Sequence, residues 1–151
     1  MPNTLPLPSS RDEIRKTQSL RKKIAFKRAK TATWYKGKLD HIDEDKLDDP
    51  EVWCQIPVIT KDILRKFNHG EFMENFNIAE PKDIAEYWRS GGTTGQPVFY
   101  PRTFEDVKYG LESWARTFRP TQITPGDLCH ISFPLGIHPA GQIWARSAHD
   151  M

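Results

Sequence analysis

The chain has 151 residues and a net charge of +2, with 37% hydrophobic and 28% charged residues. That is enough for one domain with its own core, and five Trp within an 11% aromatic content exclude a disordered polymer. No run of about 18 apolar residues is present to span a membrane, and residues 1–10 lack the apolar stretch of a secretory signal. Cys54 and Cys129 stand far apart in neither a disulfide nor a zinc-ligand pattern, which points to a reducing cytoplasm and no metal site.

The small net charge conceals a division. Residues 1–38 hold eleven Lys and Arg against Asp12 and Glu13 (+9), and residues 39–151 hold eleven against eighteen acids (−7). A basic head suits nucleic acid or an acidic surface. Aromatic residues are not interleaved with it, so the pattern favours a solvated helix face docked on the acidic remainder.

In chain order, residues 1–10 read as a flexible proline-bearing tail. Ser10 with Glu13 reads as a capping box opening a helix to about residue 31 or 33, with a narrow stripe of Ile14, Leu20, Ile24, Ala25 and Ala29 among basic residues. Gly37 reads as its C-cap. An acidic connector over residues 40–51 turns at Asp49-Pro50, and residues 56–59 are extended. Thr60 caps a helix over residues 61–67 that stops at Asn68-His69-Gly70, and Pro81 opens a short helix over 82–87. Residues 98–100 form a strand, and Thr103 caps a helix over 104–118 with Val107, Leu111, Trp114, Ala115 and Phe118 on one face. After a turn at 124–127, residues 128–133 read as a buried strand. Residues 140–151 read as a helix with Trp144, Ala148 and Met151 on one face, ending uncapped. The order is α/β: an N-terminal helical region followed by mixed strands and helices.

The window that carries chemistry is Ser90-Gly91-Gly92-Thr93-Thr94-Gly95-Gln96-Pro97. Three glycines in five residues let a backbone turn sharply and aim several N–H groups at one anion, and Ser90, Thr93 and Thr94 add hydroxyls. The same composition also suits a structural hairpin turn. It is neither a Walker A loop, since Gln96-Pro97 follows Gly95, nor a dinucleotide fingerprint. Farther along, Ser132-Phe133-Pro134-Leu135-Gly136-Ile137-His138 follows the expected strand, and a plain loop or capping histidine is one reading of His138.

The glycine-rich window resembles the phosphate loop of adenylate-forming (AMP-binding) enzymes, usually Ser-[Ser/Thr]-Gly-Thr-Thr-Gly-Lys-Pro. Two further segments resemble the phenylacetate–CoA ligase-like branch: the helix ending in Ala32-Thr33-Trp34-Tyr35, and Ile56-Pro57-Val58-Ile59-Thr60-Lys61-Asp62-Ile63-Leu64-Arg65. Arg89, directly before the loop, also fits. The likeness runs from about Leu20 to Met151. Gly91 replaces a hydroxyl residue and Gln96 the common Lys, removing one donor and one charge.

The resemblance implies an ATP-dependent acid–CoA ligase. A carboxylate attacks the α-phosphate of Mg²⁺-bound ATP to give an acyl-adenylate and pyrophosphate, and the thiol of coenzyme A then displaces AMP. By the same resemblance Ser90, Gly91, Gly92, Thr93, Thr94 and Gly95 contact phosphate, and Phe133, Leu135, Ile137 and His138 line the acid pocket. The family's ribose-binding aspartate and C-terminal catalytic lysine have no counterpart here. Residues 11–151 therefore read as an incomplete, N-terminal part of the AMP-binding domain, inactive without its C-terminal remainder, and no catalytic residue is assigned. A non-catalytic nucleotide-binding or scaffold protein of the same fold is the alternative.

Overall fold

The computed structural model describes residues 7–90, 97–118 and 120–150. They gather into two compact units, residues 7–78 and residues 79–150.

The first unit is helical. α1 (Arg11–Thr31) begins at Ser10, whose hydroxyl accepts the Glu13 amide, as expected. The return bond of the capping box is displaced by one residue, because the Glu13 carboxylate accepts from the backbone and hydroxyl of Ser9, at 2.6 and 2.8 Å. The helix ends at Ala32, not at Gly37. Gly37 instead takes a left-handed φ of 76° after a 3₁₀ turn, Thr33–Tyr35. Of the stripe read from the sequence, Ala29 packs partly buried against the core, but the stripe as a whole is not the buried face. Ile14, Leu20 and Ile24 are exposed, and Phe26 is the residue of α1 that enters the core, with Leu39, Ile42 and Leu47. Ile42 and Leu47 belong to the acidic connector and Leu39 directly precedes it, so this stretch supplies most of a core it was expected only to link.

Acids of the connector also pair with four lysines of α1. Lys22 reaches Asp48 (3.5 Å), Lys23 reaches Asp45 (3.1 Å), Lys27 reaches Glu44 (3.5 Å) and Lys30 reaches Asp40 (4.0 Å). Docking of the basic helix on local acids is thus the observed arrangement. Asp49 accepts the Glu51 amide to start α2 (Pro50–Trp53), and Thr60 accepts the Ile63 amide to start α3 (Lys61–Leu64). α3 is shorter than expected because Asn68-His69-Gly70 does not end a helix but begins one. The Asn68 side chain and Glu71 form a reciprocal capping box at the head of α4 (His69–Phe76). Phe76 of α4 stacks near Trp34, Phe67 and Phe72, with ring centroids 5.8, 5.3 and 5.2 Å away.

The second unit packs a hairpin with two helices. Pro81 opens only a 3₁₀ turn, Pro81–Asp83, and the expected helix over 82–87 is instead β1 (Ile84–Arg89). Ile84, Tyr87 and Trp88 are good strand formers, and pairing with β2 (Phe99–Thr103) decides the matter. The pair is antiparallel, with Glu86 opposite Arg102, Trp88 opposite Tyr100 and Arg89 opposite Phe99. Pro101 is tolerated because β2 is an edge strand. α5 (Phe104–Phe118) starts with a reciprocal Thr103/Asp106 cap and buries Val107, Ala115 and Phe118. α6 (Pro139–His149) buries Gly141, Ile143 and Ser147, a face different from the expected Trp144 and Ala148; Met151 lies outside the described residues. Trp144 is half-buried against Trp114 and Phe118, at 4.6 and 5.4 Å. The Ser147 hydroxyl donates to the Leu111 carbonyl across the helix pair.

Residues 128–133 are not a buried strand. No backbone hydrogen bond joins them to another described residue, and Leu128 is fully exposed (102%). β-Branched and aromatic composition specifies a strand only where a ladder partner exists to take its N–H and C=O groups. The turn before it is as expected: Asp127 accepts the Thr124 amide and hydroxyl, and Gly126 takes φ 101°. The chain is thus mixed helix and strand, with a two-stranded antiparallel sheet among the described residues.

Candidate functional site

Ser90 and Val98, described residues on either side of residues 91–96 of the glycine-rich segment, are joined to each other at the end of the β1–β2 hairpin. Beyond the last strand pair, Ser90 N–H donates to the Val98 carbonyl at 2.9 Å. The Val98 amide donates back to Ser90 Oγ, also at 2.9 Å. Ser90 is therefore a staple across the mouth of the loop. Its hydroxyl oxygen is already used as an acceptor, and its O–H is left to donate. Gly91, Gly92, Thr93, Thr94 and Gly95, the other residues expected to contact phosphate, lie outside the described residues, as does Gln96.

The segment expected to form the acid pocket reaches the same stem. The Arg89 amide donates to the Ile137 carbonyl at 3.3 Å, so residue 137 runs beside β1 at the base of the loop. Next to it, His138 occupies the N-cap of α6, exposed and without a side-chain capping bond. The side chains do not converge on one cavity. Phe133 lines a groove of about 680 Å³ with Phe118, Ile123, Leu128, His130 and Trp144, whereas Leu135, Ile137 and His138 are exposed outside it.

Sequence reasoning missed the residues that hold this segment in place. At Gly141 an added Cβ would collide with the Pro134 carbonyl oxygen and lie 2.9 Å from that of Phe133, so only glycine lets the loop backbone press on α6. Gln142 Nε2 donates to the Leu135 carbonyl at 2.9 Å. Arg146, one turn farther, pairs with Glu86 of β1 at 2.7 Å, and Glu86 also accepts from Trp88 Nε1 at 2.9 Å. Burial pushes the Glu86 carboxyl up, but the hydrogen bonds from Trp88 and Arg146 and the guanidinium charge outweigh it and hold its pKa below the ordinary value. A glycine in the first turn of a helix, where it is a poor helix former, was the available signal for the close approach.

Arginines at the hairpin divide by partner. Arg102 lies over the Trp88 and Tyr100 rings, at 4.8 and 5.2 Å. Arg146 has Glu86. Arg116 is half-buried, and Arg119 is outside the described residues. Among the described residues no group of three or more His, Cys, Asp or Glu side chains could hold a metal ion, and no helix is long and apolar enough to cross a membrane. Cys54 and Cys129 are free and exposed. No family model matches the chain, and no curated protein is significantly similar to it.

Proposed function

We propose that the chain is the phosphate-loop portion of an ATP-dependent carboxylic acid–CoA ligase of the phenylacetate–CoA ligase-like kind. The observation that carries this reading is the backbone hydrogen bond from Arg89 to Ile137. It supports the reading because it sets residue 89, at the stem of the glycine-rich segment, beside residue 137 of the segment that resembles the family's acid pocket, as a reaction between ATP and an acid requires. Catalysis of such a reaction is positioning and electrostatic stabilisation. An acid oxygen attacks the α-phosphorus, the bond to pyrophosphate breaks, and the acyl group then passes to the sulfur of coenzyme A as AMP leaves. Mg²⁺ arrives with ATP and neutralises phosphate charge. Within this reading Thr93, Thr94 and Gly95 hold phosphate, Ser90 fixes the loop mouth, an aryl or other apolar acid lies toward Phe133, and the protein works in the cytoplasm.

Calorimetric titration with Mg·ATP tests it. Weak binding that Thr94→Ala abolishes is expected; a chain that takes up no nucleotide refutes it. The purified 151-residue chain is expected to form no acyl-CoA from phenylacetate, ATP and CoA. Gly91 and Gln96 favour a second reading, a nucleotide-binding protein of the same fold without catalysis. Reading the messenger past the Met151 codon separates the two. A ribose-binding aspartate and a catalytic lysine in frame support the ligase, and an intact nucleotide-binding region without that lysine supports the alternative.

A further inference from the structure

The cations of α1 meet two different fates. Lys22, Lys23, Lys27 and Lys30 are drawn to acids of the following segment, while Phe26 enters the core. Ile14, Thr17, Arg21, Ile24 and Arg28 follow one another at spacings of three and four residues, which sets them along one line of the helix, away from Phe26. All five are exposed, and so is Leu20 beside the line. The side chains of Arg21 and Arg28 have no hydrogen bond or ion pair among the described residues. No Asp or Glu occurs between residues 14 and 39, and the two acids of α1, Asp12 and Glu13, are engaged by Arg15 and Ser9. Each of residues 11–18 is exposed, so the first two turns present the line clear of the core.

We propose that this line of α1 docks on an anionic lipid bilayer, with the helix lying along the surface. Charge complementarity selects the occupant. Unpaired guanidinium forks can donate to lipid phosphates and carboxylates, and Ile14, Leu20 and Ile24 lie between them to enter the boundary of headgroups and acyl chains. A nucleic acid would use the arginines but bury no aliphatic side chain, and the line holds no aromatic ring to stack on a base. No helix among the described residues is long and apolar enough to cross the membrane, so the contact is peripheral. It is adsorption of a face to a surface, requires no pocket, and stands apart from the nucleotide reading.

Cosedimentation of the full chain with vesicles tests it, phosphatidylcholine alone against equal parts of phosphatidylcholine and phosphatidylserine. Binding is expected to the anionic vesicles only, and to fall as NaCl is raised from about 0.1 to about 1 M. Each basic residue near the surface multiplies partitioning about fivefold, so Arg21→Gln with Arg28→Gln is expected to lose about tenfold or more. Ile14→Ser with Ile24→Ser is expected to lose about fivefold or more. Lys61→Gln with Lys66→Gln removes the same charge from the same unit but off the line, and is expected to lose less than about threefold. Circular dichroism checks that each variant folds; should the isoleucine pair unfold, the arginine pair and its lysine control carry the test. Wild-type chain that ignores anionic vesicles overturns the proposal, as does an arginine pair that binds like wild type or loses no more than the lysine control. Arginine-dependent uptake of single-stranded RNA without vesicle binding also overturns it, and so does a dimer in solution that the isoleucine pair breaks while vesicles are ignored.

Discussion

Residues 7–78 and 79–150 are of similar size but differ in how fully they satisfy themselves. In the first unit, side chains of Ser10, Asp43, Asp49, Thr60 and Asn68 cap successive helical elements, and four lysines of α1 meet acids of the following segment. In the second, polar side-chain atoms of Arg89, Arg102 and Glu112 are shielded without a hydrogen-bond partner. Large apolar side chains stand in solvent in both units, such as Leu20 and Val58 in the first and Leu128 and Leu135 in the second. A unit that has spent its donors and acceptors internally has little left with which to hold a ligand. The unit with unmet groups is the one that bears the glycine-rich segment and the residues strung to its stem.

The sharpest way to break this contrast is through the cores. Leu39 is completely buried (0% exposed) in the cluster with Phe26, Ile42 and Leu47. Leu39→Ala leaves a cavity there and is expected to destabilise the first unit by about 2–5 kcal/mol, read from the urea midpoint by circular dichroism. Leu128→Ala, at a side chain that touches little, is expected to shift unfolding by no more than about 0.5 kcal/mol. Equal losses at the two leucines would remove the distinction between a closed unit and an open one.

Gly141→Ala probes the second unit where it is tight. The new methyl would meet backbone oxygens of Pro134 and Phe133, which cannot rotate aside as a flexible side-chain end would. A cost of about 1–3 kcal/mol is expected from overpacking. The amides of α6 and of Arg89, bonded to Ile137, should exchange faster with solvent deuterium while those of α1 do not. Unchanged exchange at Arg89 would mean that α6 does not position the 133–138 segment.

What the sequence disclosed depended on the range of the forces involved. Caps at Ser10, Thr60 and Thr103 and the turn at 124–127 are local chemistry, and each is where it was read. Residues 84–87 are strand where helix was expected and residues 128–133 form no strand where one was expected, because a strand is made by its partner and neither segment names one. The buried face of α1 was misread for a related reason. Leu39, Ile42 and Leu47 lie in a run dense with acids, so their contribution to a core shows only once they fold back on Phe26. Of the candidate site, Ser90 was singled out by its motif as a phosphate contact, not for its bonds to Val98, and Gly141, Gln142 and the Glu86–Arg146 pair join elements up to 60 residues apart.

A smaller effect in the second unit depends on pH. Hydrogen bonds to the ionised Glu86 depress its pKa in the folded chain. Its stabilisation is therefore fully present above the unfolded value of about 4.3 and is lost as pH falls through the lower folded value. The stability difference between wild type and Glu86→Gln should be constant from about pH 6 to 8 and shrink below about pH 4.3. A difference that persists undiminished in strong acid would show that Glu86 acts through packing and not through its charge.

The smallest expected effect is at the interface of α1 with its acids. Lys23 and Asp45 are 3.1 Å apart but largely solvated, so the Coulomb gain is offset by side-chain entropy and screened by salt. Lys23→Met is expected to cost the first unit about 0.2–1 kcal/mol, and 1 M NaCl to reduce that cost further. The same variant bears on the basic head as a nucleic-acid surface. Lys22, Lys23, Lys27 and Lys30 are already turned toward acids of their own chain. Affinity for single-stranded RNA should therefore be weak at low salt and insensitive to Lys23, with a shallow salt dependence. A steep dependence that Lys23→Met makes shallower by about one phosphate contact would show that the internal pairs open for a partner, and that the first unit is less closed than its burial suggests.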